Sequence, residues 1–246
     1  MLLPSISIIM KNGKLWIFGD SYGTWHQSGD EIKDWHWMWS LTEKLGHENF
    51  YNICEDGVAN EWIYHQLISN SPMINSETDT IIFIATQFSR QWFFEDNVGV
   101  GNIHMGTSLE KYVTKSQHIA IDHYVRHLTD NPQNSIRFQW LLYGLNFLKE
   151  QNNLNLLILP GFESEGFFLN KEFTIKGSLL DPCINEVKGR SMESWLNWKG
   201  RTDGVDPREG HISNCNHPIL SEKLFQTIKH KQVLDLTTGF EEEFII

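Results

Sequence analysis

The chain has 246 residues, 40% of them apolar and 21% charged, which fits one large soluble domain with a substantial core. Its formal net charge is -11, and its only basic cluster is a minor one at Lys229 to Lys231, so a phosphate backbone is repelled and a nucleic-acid partner is excluded. No uninterrupted run of about 18 apolar residues occurs, so no membrane span is expected.

Taken in chain order, short apolar runs alternate with helical patterns. Leu15 to Gly19 (LWIFG) reads as a buried strand that stops abruptly at Gly19-Asp20-Ser21. The stretch Asp30 to Gly46 then reads as a helix. Ile32, Trp35, Trp39, Leu41 and Leu45 recur near helical spacing, and Gly46 stands where a helix stops. Phe50 to Cys54 is a second strand, followed by Glu55-Asp56-Gly57 and a helix from Asn60 to Ile68 with Asn60 as a candidate cap. Thr80 to Thr86 is a continuous β-branched strand that runs into Gln87. Ser135 to Gln151 places Ile136, Trp140, Tyr143 and Phe147 on one helical face. Leu154 to Gly161 is the next strand. His217 to His230 is a late helix with Leu220, Leu224 and Ile228 as its apolar face.

This alternation predicts an α/β fold: three layers, α/β/α, around a mainly parallel, flavodoxin-like sheet. Residues 1–246 are read as a single domain, with an inserted or elaborated region at about 88–134 and an irregular segment at about 162–210. In such sheets ligands gather at the carboxyl ends of the strands. Ser21, Gly57 and Gln87 all fall at such ends.

The three cysteines, Cys54, Cys183 and Cys215, are odd in number and lack Cys-x-x-Cys spacing, which fits a reducing compartment. The apolar start has no basic n-region, so no signal peptide is expected and the chain reads as cytoplasmic or otherwise soluble. Ten tryptophans are read first as core and rim packing and second as lining for an aromatic cleft. Of His118, His123 and His127, the last two are four apart and could share a helical face, but no third ligand stands near in a tight pattern, so no metal is implied. No cofactor is implied either. Arg90 is open to two readings, a contact for a substrate anion or a solvated or ion-paired side chain.

A serine on a sharp turn after a strand becomes a nucleophile when a histidine, oriented by a carboxylate, removes its proton. His211 is the candidate base. It lies in an irregular segment just before the last helix, with Glu209 two residues before it and Asp206 five before. His217 is the rival histidine.

Four stretches in order resemble the SGNH, or GDSL-type, hydrolases. They are "IFGDSYG", "NICEDGVANEWIYHQL", "IIFIATQFSR" and "EGHISNCNHPILSEKL", which together span Leu15 to Leu224. The resemblance implies Ser21 as nucleophile and His211 as base. It also implies an oxyanion hole from the Ser21 and Gly57 N–H groups and a side-chain amide. That amide is Asn in the family and Gln87 here. The family's acid, three before the histidine, is replaced by Arg208; Glu209 is the nearest carboxylate and Asp206 the fallback. The activity implied is hydrolysis of an O-acyl ester of a small molecule or glycan through an acyl-enzyme. The alternative is an SGNH-like glycan-binding or structural module with impaired turnover. The oligomeric state is left open.

Overall fold

The computed structural model describes residues 13–24, 36–55, 57–88, 90–92, 99–100, 131–162, 174–179, 212 and 215–241, with isolated positions between 115 and 123. Four parallel strands form the main sheet. They are β1 (Lys14–Gly19), β2 (Asn49–Cys54), β3 (Thr80–Ala85) and β6 (Leu156–Pro160), in the spatial order β2-β1-β3-β6. Register is continuous across it: Gly19 lies opposite Cys54, Phe18 opposite Phe83, and Ala85 opposite Pro160.

Strand residues alternate between two cores because successive side chains point to opposite faces. Leu15, Ile17, Ile82, Ile84, Leu157 and Leu159 meet α1 (Trp37–Leu45) and the last helix, α4 (Asn216–His230), on one face. Trp16, Phe18, Ile81, Phe83, Leu156 and Ile158 meet α2 (Asn60–Asn70) and α3 (Asn131–Asn152) on the other. This is the expected three-layer α/β/α arrangement. Strands buried on both faces read as unbroken apolar runs, and that is why they were legible in the sequence.

Two short strand pairs lie apart from the main sheet. β4 (Gln91–Trp92) pairs antiparallel with β5 (Gly99–Val100), inside the region expected to be elaborated. β7 (Ile175–Lys176) pairs parallel with β8 (Leu234–Asp235), where no strand was expected.

Helix boundaries follow local chemistry. Gly46 has φ 71° and closes α1 through its N–H to the Glu43 and Thr42 carbonyls, as its position suggested. α3 begins at Asn131, four residues before the expected start, and Pro132 sits in its first turn, where a missing N–H costs no helical bond. The apolar face of α4 is buried as expected, at Leu220, Leu224 and Ile228.

Three expectations are corrected. Asn60 is the first residue of α2, Ala59 occupies the cap position, and no side chain caps that helix. Trp39 is exposed, while Trp37 and Met38 fill the core beside Leu41 and Leu45; Ile32 and Trp35 lie outside the described residues. The face of α3 that carries Ile136, Trp140, Tyr143 and Phe147 points to solvent. A second periodic set, Phe138, Leu142 and Leu145, flanked by Leu141 and Leu148, packs on the sheet instead. Two apolar faces compete on this helix, and the leucine-rich one takes the core.

Candidate active site

The strand order reverses between β1 and β3: one connection leaves β1 toward β2, and the next crosses back to β3. Their helices, α1 and α2, cover opposite faces of the sheet. A crevice opens outside the carboxyl ends of the strands at such a switch point. Ser21 follows β1 and Gln87 follows β3, so the two flank it. Gly57 follows β2, the neighbour of β1 on its other side.

The Ser21 turn is tightly built. The Gly23 N–H donates to the Asp20 carbonyl at 3.0 Å, and the Thr24 N–H donates to the Ser21 carbonyl at 3.3 Å. Ser21 is half-buried, and among the described residues no group hydrogen-bonds its hydroxyl. Gly23 is required by close approach, because a Cβ there would collide with Cys54 Sγ and come within 3.1 Å of Cys54 Cβ. Asn52 Nδ2 donates to the Gly23 carbonyl at 2.8 Å and ties the turn to β2. The Tyr22 ring is buried in the core and packs 5.4 Å from Phe162, just past β6.

Asp20 is fully buried and is the anchor of the turn. Its carboxylate accepts from Thr86 Oγ1 at 2.6 Å, from an Arg90 Nη1 at 3.0 Å, and from the Tyr22 N–H at 3.2 Å. Arg90 is thus the ion-paired side chain of the two readings. It reaches every strand exit of the main sheet. It follows β3, pairs with Asp20 past β1, donates to the Val58 carbonyl past β2 at 3.4 Å, and lies 5.2 Å above the Phe162 ring past β6.

Asn60 fixes the β3 exit. Its Oδ1 accepts from the Thr86 N–H at 2.8 Å. Its Nδ2 donates to the Thr86 carbonyl at 2.9 Å and more weakly to the Gln87 carbonyl at 3.4 Å. Gln87 therefore hangs from a backbone held on both sides, and its side-chain Oε1 is buried with no hydrogen-bond partner among the described residues. Arg90 Nε is orphaned in the same way. The opposite edge of the sheet contrasts with this. There the buried Asp79 carboxylate accepts from the Lys14 N–H, Trp16 Nε1 and the Asn75 N–H at 2.8–3.0 Å. Buried polar groups left unpaired cost about 1–3 kcal/mol each, and sites where a ligand supplies the missing partner are one setting that tolerates them.

Gly57 has φ 72°, and a Cβ added there would meet nothing within 4 Å. Its need for glycine is conformational, not steric, because other L-residues adopt left-handed backbone at a cost of about 1–2 kcal/mol.

His217 is buried at the start of α4. Its Nδ1 accepts from the Trp37 N–H at 3.3 Å, and its ring lies 4.4 Å from that of His36. Trp37 in turn donates from Nε1 to the Tyr22 carbonyl at 3.3 Å, so this histidine sits in the layer that supports the serine turn. His211, Glu209 and Asp206 lie outside the described residues. So do His118 and His127. Among the described residues no three metal-ligating side chains stand together, and no helix is long and apolar enough to cross a membrane.

Sequence reasoning reached Ser21, Gly57 and Gln87 from their places at strand exits. It missed the partnership of Asp20, Thr86, Arg90 and Asn60. The one available signal was an acid between a glycine and a serine, since its side-chain partners Thr86 and Arg90 are 66 and 70 residues away.

No family profile and no curated protein matches this chain. One solved structure that resembles it is of a candidate lipolytic protein of the G-D-S-L family from Desulfitobacterium hafniense. The two share 14% identity over 66% of this chain and 87% of that one, with a TM-score of 0.27. A likeness at that level says nothing about chemistry at the switch point.

Proposed function

We propose that this protein is a serine ester hydrolase that removes an O-acyl group from a small molecule or glycan, with Ser21 as nucleophile. The observation that carries the proposal is that Ser21, Gly57 and Gln87 follow three adjacent strands of the sheet, β1, β2 and β3, around the switch point. The Ser21 Oγ attacks the ester carbonyl while His211 takes its proton. The carbonyl oxygen becomes an oxyanion, held by the Ser21 and Gly57 N–H groups and by the Gln87 amide. The C–O bond to the alcohol breaks, His211 returns the proton to the leaving oxygen, and an acyl-serine remains. Water, deprotonated by His211, attacks the acyl carbonyl and releases the acid, and the Ser21 hydroxyl is restored.

Glu209 is proposed to orient His211, with Asp206 as the second choice. The tautomer of His217 favours His211 over its rival. A triad base donates its Nδ1–H to the acid and accepts the serine proton at Nε2. His217 uses Nδ1 as an acceptor from a backbone N–H, which places its own proton on Nε2.

The test is hydrolysis of p-nitrophenyl acetate. Ser21→Ala should abolish turnover with the circular dichroism spectrum unchanged. Gln87→Ala should lower kcat by about 100- to 1000-fold with little change in KM, the usual effect of losing one oxyanion donor. Glu209→Gln should lose more activity than Asp206→Asn; the reverse order assigns the acid to Asp206. A folded wild-type protein with no activity on short-chain esters, but with glycan affinity that survives Ser21→Ala, would make it a binding module.

A further inference from the structure

The outer face of α3 carries four large side chains in the open. Trp140 is 75% exposed, Tyr143 74%, Phe147 66% and Ile136 52%. They recur at intervals of four, three and four residues, which is the seam spacing of paired helices. The inner face of the same helix is already occupied, by Phe138, Leu142 and Leu145 against the sheet. Among the described residues, the outer stripe takes no part in the core. Solvated apolar patches of this kind mark interaction surfaces.

We infer that this stripe joins two copies of the chain, as an antiparallel pair of α3 helices about a two-fold axis. The spacing is self-complementary. Ile136 and Phe147 are equidistant from the point midway between Leu141 and Leu142, and so are Trp140 and Tyr143. An antiparallel pair centred there sets Ile136 against Phe147 of the second copy and Trp140 against its Tyr143. A two-fold interface requires that reciprocity. The positions beside the seam follow the same symmetry. Gln139 meets Gly144, where a Cβ would come within 3.2 Å of the Tyr64 hydroxyl of α2; Arg137 meets Asn146; and Gln133 meets Glu150. No like charges face each other, and Arg137 is already paired with Glu61 at 2.8 Å.

Area supports the same occupant. Three aromatic side chains of about 150–250 Å² each, exposed to this degree, offer on the order of 400–500 Å² per copy once Ile136 is added. A pair buries about 900 Å² from the stripe alone, and the flanking residues carry the total past the ~1,000 Å² that a stable specific interface needs.

The full-length protein should be tested by sedimentation velocity from 1 to 50 µM, in 0.1 M and 0.5 M NaCl. The wild type should sediment as a dimer, at twice the 28.7 kDa chain mass, with no loss of dimer at the higher salt because the seam is apolar. Trp140→Glu with Tyr143→Glu should give monomers across the range and leave the melting temperature of the monomer fold intact, because both side chains are solvated. The single variant Trp140→Ala should raise the dimer dissociation constant at least tenfold. A wild type that stays monomeric at 50 µM, or a double variant that still dimerises, overturns the inference. So does a monomer that binds phosphatidylcholine vesicles or insoluble glycan through these four side chains.

Discussion

Replacing Arg90 by Met leaves the Asp20 carboxylate buried at zero exposure without its cation, while the arginine it loses is itself only 12% exposed. Breaking a buried pair from one side costs about 3–5 kcal/mol. Asp20 keeps the Thr86 hydroxyl and the Tyr22 N–H, which places the loss near the lower end, about 3 kcal/mol. That is a large share of the ~5–15 kcal/mol total stability of a typical domain. At a slope of about 2–3 kcal/mol per M it lowers the urea midpoint by roughly 1–1.5 M. Asp20→Asn alone strands the guanidinium and should cost about 1.5–3 kcal/mol, the usual worth of a hydrogen bond to a charged group. The double variant removes both charges together, so its loss should fall short of the summed single losses by at least ~1.5 kcal/mol. Four urea curves, read by tryptophan fluorescence, complete the cycle. Single losses that add within ~0.5 kcal/mol would refute the idea that Arg90 and Asp20 lock the serine turn.

Gly46 and Gly57 share a left-handed backbone and open space, at φ 71° and 72°, so each mutation to Ala should cost about 1–2 kcal/mol. Only Gly57→Ala should also slow ester hydrolysis, since Gly46 ends α1 away from the switch point; equal rates in the two variants would remove Gly57 from the proposed oxyanion hole. Burial, and then the charge of Lys229, hold the His47 pKa below its ordinary 6.5, with Asp79 opposing. The folded chain therefore takes up this proton less readily than the unfolded one. The stability contributed is complete above pH 6.5 and falls away as pH drops through the lowered value. His47→Gln should narrow the gap between the melting temperatures at pH 7.5 and pH 5.0; an unchanged gap would assign the pH dependence to other groups.

Most of the parallel sheet was legible because β1, β3 and β6 are short apolar runs between polar turns, and burial on both faces enforces that composition; the edge strand β2 is only partly buried. The face of α3 was not legible. Ile136, Trp140, Tyr143 and Phe147 have the same helical period as Phe138, Leu142 and Leu145, and periodicity alone cannot say which set meets the sheet. The serine turn was legible because Gly19-Asp20-Ser21 ends an apolar strand without a transition. The lock around it was not, because Thr86 and Arg90 meet Asp20 only after β3 is laid beside β1. Asn60 was misread for a related reason. An Asn at a helix start caps it in isolation, yet here the amide turns to the Thr86 peptide of the adjoining strand.

Ser21 is the centre of the functional reading, and a fluorophosphonate probe tests it most directly, because the probe reacts only with a serine activated by its surroundings. Intact-mass and peptide mapping after labelling should show one adduct per chain, on the Ser21 peptide, absent from Ser21→Ala and reduced in His211→Ala. A folded protein that takes no label, or takes it on another serine, would contradict the assignment of Ser21 as nucleophile.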